Sequence, residues 1–285
     1  MTTLTFSRDF VWKRLHSLMG LWLVLFLMEH LFVNSQAALL LGENGRGFVE
    51  AVNAIHNLPY LYVIELFLLG IPLLIHMVWG VRLLFTSKAN ASRSDGSRPS
   101  LPQYGRNKAY SWQRITSWIL LVGVAAHVVK FRFLDYPWSV NEGQVVTYFV
   151  KIHSDEGLHT LTDKLGFKIY NQEDIKDAAE KGALEKKSLQ EGEVIAATNS
   201  FGTASLLSVR DTFKVPLYAA LYTIFVLAAC FHGFNGFWTF LLTWGAVIKV
   251  AAQKRAYAFA LGLMFLVAFL GLAAIWGTYW LNLKS

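Results

Sequence analysis

The sequence predicts an all-α membrane protein, a five-transmembrane-helix bundle. Three observations predict it: five apolar runs of spanning length, no period-two alternation within them, and basic residues gathered on alternate connections. Of the 285 residues, 54% are hydrophobic and 15% aromatic, which is too apolar for an ordinary soluble domain. The runs are 12–36, 60–85, 113–131, 216–248 and 257–281. Each meets the roughly 20 apolar residues that cross a hydrocarbon core. The fourth is over-long and is trimmed to about 216–240. Continuous runs argue against a β-barrel, whose strands alternate. The chain is read as a single membrane domain, 1–285, with a long outer loop at about 133–215.

The net charge of +7 follows the positive-inside rule, not nucleic-acid binding. The N-terminus carries Arg8, Lys13 and Arg14. The second connection carries Lys88, Arg93, Arg98, Arg106, Lys108 and Arg114, and the fourth Lys249, Lys254 and Arg255. The first connection sets Arg46 against Glu43 and Glu50. This places the N-terminus in the cytoplasm. The first run holds Glu29 and His30 and exceeds a signal-peptide core, so it reads as a retained helix. Segment 86–111 reads as a loop. In the third connection, an exposed amphipathic helix is expected near 172–190. The single Cys230 excludes an intrachain disulfide and reads as a small apolar filler.

Chemistry is carried by four histidines, one deep in each of four runs: His30, His76, His127 and His232. Intramembrane ionisable residues are rare and mark function. His30 lies about 18 residues into the first run and His127 about 14 into the third, both rising toward the outer side. His76 and His232 lie about 16 residues into runs of opposite direction, toward the inner side. At 1.5 Å per residue the two levels stand roughly 15 Å apart. Bis-imidazole ligation of haem grips the macrocycle from two faces. The pairing is therefore His30 with His127 for an outer haem, and His76 with His232 for an inner one. The bundle is expected to enclose two b-type haems. Gly80, Gly123 and Gly236 each lie four residues from a ligand and share its helix face, leaving room for a flat ring. Pro72 is expected to bend the second helix.

His16 shares a helical stripe with His30, nearer the cytoplasmic surface. With Ser17, Arg14 and Arg114 it is a candidate contact for haem propionates. His56, His153 and His159, in polar outer connections, read as solvated. Glu65 precedes His76 by 11 residues, about three turns, which puts it on the same face and level with the outer haem. A carboxylate there could take or release a proton, as quinol oxidation requires. Glu29 is a second candidate for this quinone and proton site.

At these residues the chain resembles the cytochrome b subunit of succinate:quinone oxidoreductases, the five-helix di-haem class. The local patterns are Arg14-Leu15-His16-Ser17-Leu18-Met19-Gly20, Glu29-His30-Leu31-Phe32-Val33-Asn34 and Pro72-Leu73-Leu74-Ile75-His76-Met77-Val78-Trp79-Gly80. Gln113-Arg114-Ile115-Thr116, His127-Val128 and Phe231-His232-Gly233-Phe234-Asn235-Gly236-Phe237-Trp238 complete them. The resemblance covers roughly 1–132 and 205–285. It implies that His30, His76, His127 and His232 are axial ligands of two haem b groups. It also implies a flavoprotein with FAD and an iron–sulfur protein docked on the cytoplasmic face of a bacterial cytoplasmic membrane. The chain itself would be the membrane anchor of succinate dehydrogenase or fumarate reductase, not catalytic for succinate alone. It would carry electrons to or from a membrane quinone, typically menaquinone. Two departures stand out. The connection 133–204 is longer than in compact members and inherits no role, and Ser117 stands where the family often has glycine. Two other readings are a di-haem b subunit of another respiratory enzyme, and a haem-free transporter or assembly protein with polar histidine networks.

Overall fold

The computed structural model describes residues 7–40, 42–86, 105–179 and 188–284. Among the described residues, five helices are long and apolar enough to span a membrane: Arg8–Leu39, Leu61–Leu83, Gly105–Leu134, Pro216–Thr243 and Val250–Leu283. They are called the first to fifth spans. Most run past the ends expected from hydropathy, because helix continues through basic and aromatic residues such as Arg8, Phe10, Tyr110 and Trp112. Such side chains suit the interfacial zone, where aromatic rings and snorkelling cations sit. Large apolar side chains including Leu25, Phe67, Val122, Phe259 and Phe265 are exposed along the spans. That surface fits lipid and not water. Of the segment expected as a second-connection loop, residues 87–104, with Lys88, Arg93 and Arg98, lie outside the described residues; from Gly105 the chain is already helical.

The chain divides into two compact units. The first comprises Met1–His30, Tyr60–Val124 and Ile224–Phe269. Here the second span is an α-helix Leu61–Glu65, a π-helix Leu66–Gly70 and an α-helix Ile71–Thr86. Pro72 explains the interruption: it has no N–H for the Leu68 carbonyl and its ring crowds that oxygen. The Trp22 indole N–H donates to the Leu68 carbonyl instead. The expected bend thus takes the form of a π segment, a common device at functional sites. At the end of the fourth span, the Arg14 guanidinium donates to the Thr243 carbonyl. A cation there offsets the negative helix end. Close approach relies on small residues, as is usual between membrane helices.

The second unit comprises Leu31–Pro59, Ala125–Thr223 and Leu270–Ser285. It corrects the reading of 133–215 as a loop and of the whole chain as all-α. An antiparallel sheet of four strands runs in the order β1 (Trp138–Glu142), β2 (Val145–His153), β4 (Glu193–Thr198), β3 (Lys168–Tyr170). The β2–β4 register sets Tyr148 opposite Thr198 and Ile152 opposite Val194. Both sheet faces are covered. Val150, Ile152, Val194 and Ala196 pack with Leu158, Leu161, Leu206 and Leu207 from the helices Glu156–Leu165 and Phe201–Phe213. Phe149, Ile195 and Ala197 pack with Ile175 of the helix Gln172–Ala179. That helix is the start of the one expected near 172–190; residues 180–187 lie outside the described ones.

An ionic network around the buried Arg210 ties this unit together. Arg210, only 1% exposed, makes a two-pronged contact to Asp155 at 2.7 and 2.8 Å. Its Nε donates to the Leu283 carbonyl at 2.7 Å. Lys214 reaches Asp155 at 3.1 Å and Asp211 at 2.7 Å, and Asp211 also meets His153 at 3.0 Å. Burial works against the charged Asp155, but the hydrogen bonds and charges of Arg210 and Lys214 outweigh it and hold its pKa at about 2. Two of the three histidines read as solvated therefore have partners. His153 pairs with Asp211, and His56 stacks on Phe201 with ring centres 3.8 Å apart, while His159 is exposed.

Candidate functional site

The inner pair expected from sequence, His76 and His232, is brought together in the first unit. Their ring centres are 6.2 Å apart with planes at 83°. Two imidazoles on opposite faces of one metal, each with a metal–nitrogen bond of about 2 Å, have ring centres roughly 6 Å apart. The pair is thus spaced to hold one metal ion by a nitrogen from each ring.

The rings are also oriented. His76 Nδ1 lies 3.0 Å from the backbone carbonyl of His16, and His232 Nδ1 lies 3.2 Å from that of Gln113. An Nδ1–H donated to a carbonyl fixes the tautomer with Nε2 as the lone-pair atom, the usual outer-shell arrangement of a metal-bound histidine. Gln113 does more. Its side-chain amide donates to the His232 carbonyl at 3.0 Å and its Oε1 accepts from Asn235 at 2.7 Å. Thr116 Oγ1 is 3.4 Å from His232 Nδ1. The fourth span is therefore clasped to the third at the level of His232.

His16 forms a reciprocal pair with His76. The rings stack at 4.0 Å with planes 10° apart, and His16 Nδ1 lies 3.1 Å from the His76 carbonyl. A Cβ at Gly20 would fall 2.8 Å from His76 Cε1, so glycine is what lets the first span pass this ring. The expectation attached to Gly123 is corrected. A Cβ there would overlap the Phe225 ring, so Gly123 serves packing between the third and fourth spans. A Cβ at Gly80 would lie 3.7 Å from His16 Cε1, and one at Gly236 3.7 Å from Gln113 Nε2, both ordinary contacts.

His30 and His127 belong to different compact units. His30 stacks on Phe26 at 5.4 Å. His127 Nδ1 lies 3.3 Å from the Tyr222 hydroxyl. Among the candidate propionate contacts besides His16, Ser17 accepts from the Trp244 indole at 3.3 Å, the Arg14 guanidinium lies over the Trp244 ring and Arg114 over Tyr110. Ser117 returns its hydroxyl to the Arg114 carbonyl at 2.7 Å, which removes the polarity its substitution for glycine would add. Glu65 is half-buried at the junction with the π segment, and Glu29 is exposed. The π segment carries more residues per turn than 3.6, so the 11-residue spacing no longer closes whole turns.

Gln113, Gly20 and Tyr222 were given no role by sequence reasoning. A signal for Tyr222 was available: it lies six residues after the start of the fourth span, and His127 seven before the end of the third. In antiparallel neighbours those depths match.

Five apolar spans among the described residues, four of them carrying a half-buried histidine, define a multi-pass membrane protein. The chain is 27% identical over 270 residues to the succinate dehydrogenase cytochrome b558 subunit of Bacillus subtilis (strain 168). The match spans 94% of this chain and 96% of that protein, and it bears out the resemblance read from the local motifs. No family model matches the chain, and no solved structure matches it.

Proposed function

We propose that this chain is the cytochrome b membrane subunit of a succinate dehydrogenase, with two haem b groups held by His76 with His232 and by His30 with His127. The observation that carries it is the 6.2 Å separation of the His76 and His232 rings, with each Nδ1 held by a backbone carbonyl. The whole-length similarity to a cytochrome b558 subunit supports the same reading. Haem, when bound, supplies one-electron redox centres in a low-dielectric frame. The chain's own residues fix the rings, exclude water and set ligand basicity. His16, Ser17, Arg14 and Arg114, in the N-terminal parts of the first and third spans, are assigned to the propionates, and His16 also packs against His76. The basic connections face the cytoplasm, where a flavoprotein with FAD and an iron–sulfur subunit dock. The membrane is the bacterial cytoplasmic membrane and the quinone is menaquinone.

The test is a dithionite-reduced minus oxidised spectrum of the purified protein, with haem per polypeptide from a pyridine haemochrome assay. Two b haems per chain are expected. One haem would reduce the reading to a single histidine pair, and none in a folded sample made with haem would favour the transporter reading.

The quinone site is assigned to the neighbourhood of Glu65, with Glu29 as the second carboxylate. Glu65→Gln keeps shape and removes the ionisable proton, so quinone turnover by the assembled complex is expected to fall at least tenfold while haem content stays unchanged. A Glu65→Gln complex with both haems and full quinone turnover would remove Glu65 from the site.

A further inference from the structure

Three of the four candidate ligands have a described partner on Nδ1, and the partners differ in kind. For His76 it is a backbone carbonyl, and for His232 a backbone carbonyl at 3.2 Å with the Thr116 hydroxyl further off at 3.4 Å. For His127 it is a side chain, the Tyr222 hydroxyl at 3.3 Å. Tyr222 is itself held on several sides within the second unit. Its ring meets His127 at 5.9 Å, Phe213 at 5.3 Å and Phe131 at 6.1 Å, each steeply tilted. Such edge contacts fix the ring, so the hydroxyl has a set direction.

We propose that Tyr222 is a positioning residue for His127: its hydroxyl accepts the Nδ1 proton, holds the imidazole plane, leaves Nε2 as the ligating atom and sets how strongly the ring donates to iron. This rests on the haem reading above. A hydrogen bond from the distal N–H raises the basicity of a metal-bound imidazole, and outer-shell contacts of this kind tune potentials. Removing the acceptor weakens donation and favours the reduced iron. The contact is also one the sequence can change by a single oxygen atom, unlike a backbone carbonyl.

The experiment is a potentiometric titration of both haems in the intact complex, wild type against Tyr222→Phe, followed by visible and electron paramagnetic resonance spectra. One haem is expected to shift upward, its reduced-to-oxidised ratio at fixed potential rising several-fold and at most about tenfold, which is about 59 mV for one electron. The other haem stays at its wild-type potential. Two haems with unchanged potentials in Tyr222→Phe would overturn the Tyr222 assignment and leave histidine ligation standing. Equal shifts of both would overturn it as well. Where Tyr222→Phe binds one haem fewer, the wild-type complex decides, through its redox-difference infrared spectrum with ring-labelled tyrosine. A tyrosine C–O band that follows one haem's titration supports the contact, and its absence overturns it. A wild-type complex without haem would overturn the haem reading and this inference together.

Discussion

His76→Ala and His232→Ala are each expected to remove the same spectral component, lowering haem from two per chain to one, while His30→Ala and His127→Ala remove the other. The physical reason is that a bis-imidazole grip fails when either side is lost, because the remaining ring cannot by itself fix the macrocycle in a low-spin six-coordinate state. The inner pair carries the sharper expectation, since its rings already sit at the required separation. His16→Ala is the critical control. His16 stacks directly on His76, so it is the residue most easily mistaken for a ligand. What it gives the His76 Nδ1 is a backbone oxygen, which alanine retains. The His16→Ala protein should therefore keep both haems. Difference spectra with haem quantitation separate the cases. Loss of one common component in both His30→Ala and His76→Ala would break the pairing by depth, and loss of a haem in His16→Ala would put His16 among the ligands.

The inner histidines were legible in sequence because buried imidazoles inside apolar runs are costly, and depth along antiparallel helices pairs them. Their orientation was not. The acceptors on His76 and His232 are the main-chain oxygens of His16 and Gln113, and no side-chain pattern announces a carbonyl. Winding is equally hidden. An 11-residue spacing closes three turns only in an unbroken α-helix, and a π segment, Leu66–Gly70, lies between Glu65 and His76.

The spans were legible because run length is a strong signal, and the sheet was missed for a reason equally physical. A strand with one wet face alternates, whereas a strand buried on both faces does not. In β4 five consecutive residues, Val194 to Thr198, are buried, and in β2 Phe149 and Val150 are buried on opposite faces. Neither strand shows a clean period of two. Helices cover both faces, and their charged outer sides dominate the composition of the connection. The resulting mixture reads as a solvated loop.

That hidden domain carries the second large expectation. Arg210→Met should destabilise the sheet-bearing unit by about 3–5 kcal/mol, the usual cost of removing one partner from a buried ion pair. Three contacts go at once: both prongs to Asp155 and the Nε bond to the Leu283 carbonyl. Methionine has comparable length, so the loss is mainly ionic and not a cavity. The thermal midpoint of that unit, followed by limited proteolysis of the connection in detergent, should fall by on the order of 10 °C. The pH dependence gives an independent check. Asp155 titrates in the folded protein at about 2, below its ordinary 3.8. A depressed folded pKa means that the unfolded chain takes up the proton first as pH falls. The stabilisation is therefore complete above about pH 5 and is lost between there and about pH 2. Wild type should lose stability across that window faster than Arg210→Met, whose carboxylate retains only Lys214, so the gap between them should narrow. If the two proteins differ by the same amount at pH 3 as at pH 7, the Arg210–Asp155 charge pair is not what holds this unit. If Arg210→Met resists proteolysis to the wild-type temperature, the contacts of Arg210 carry no stability there.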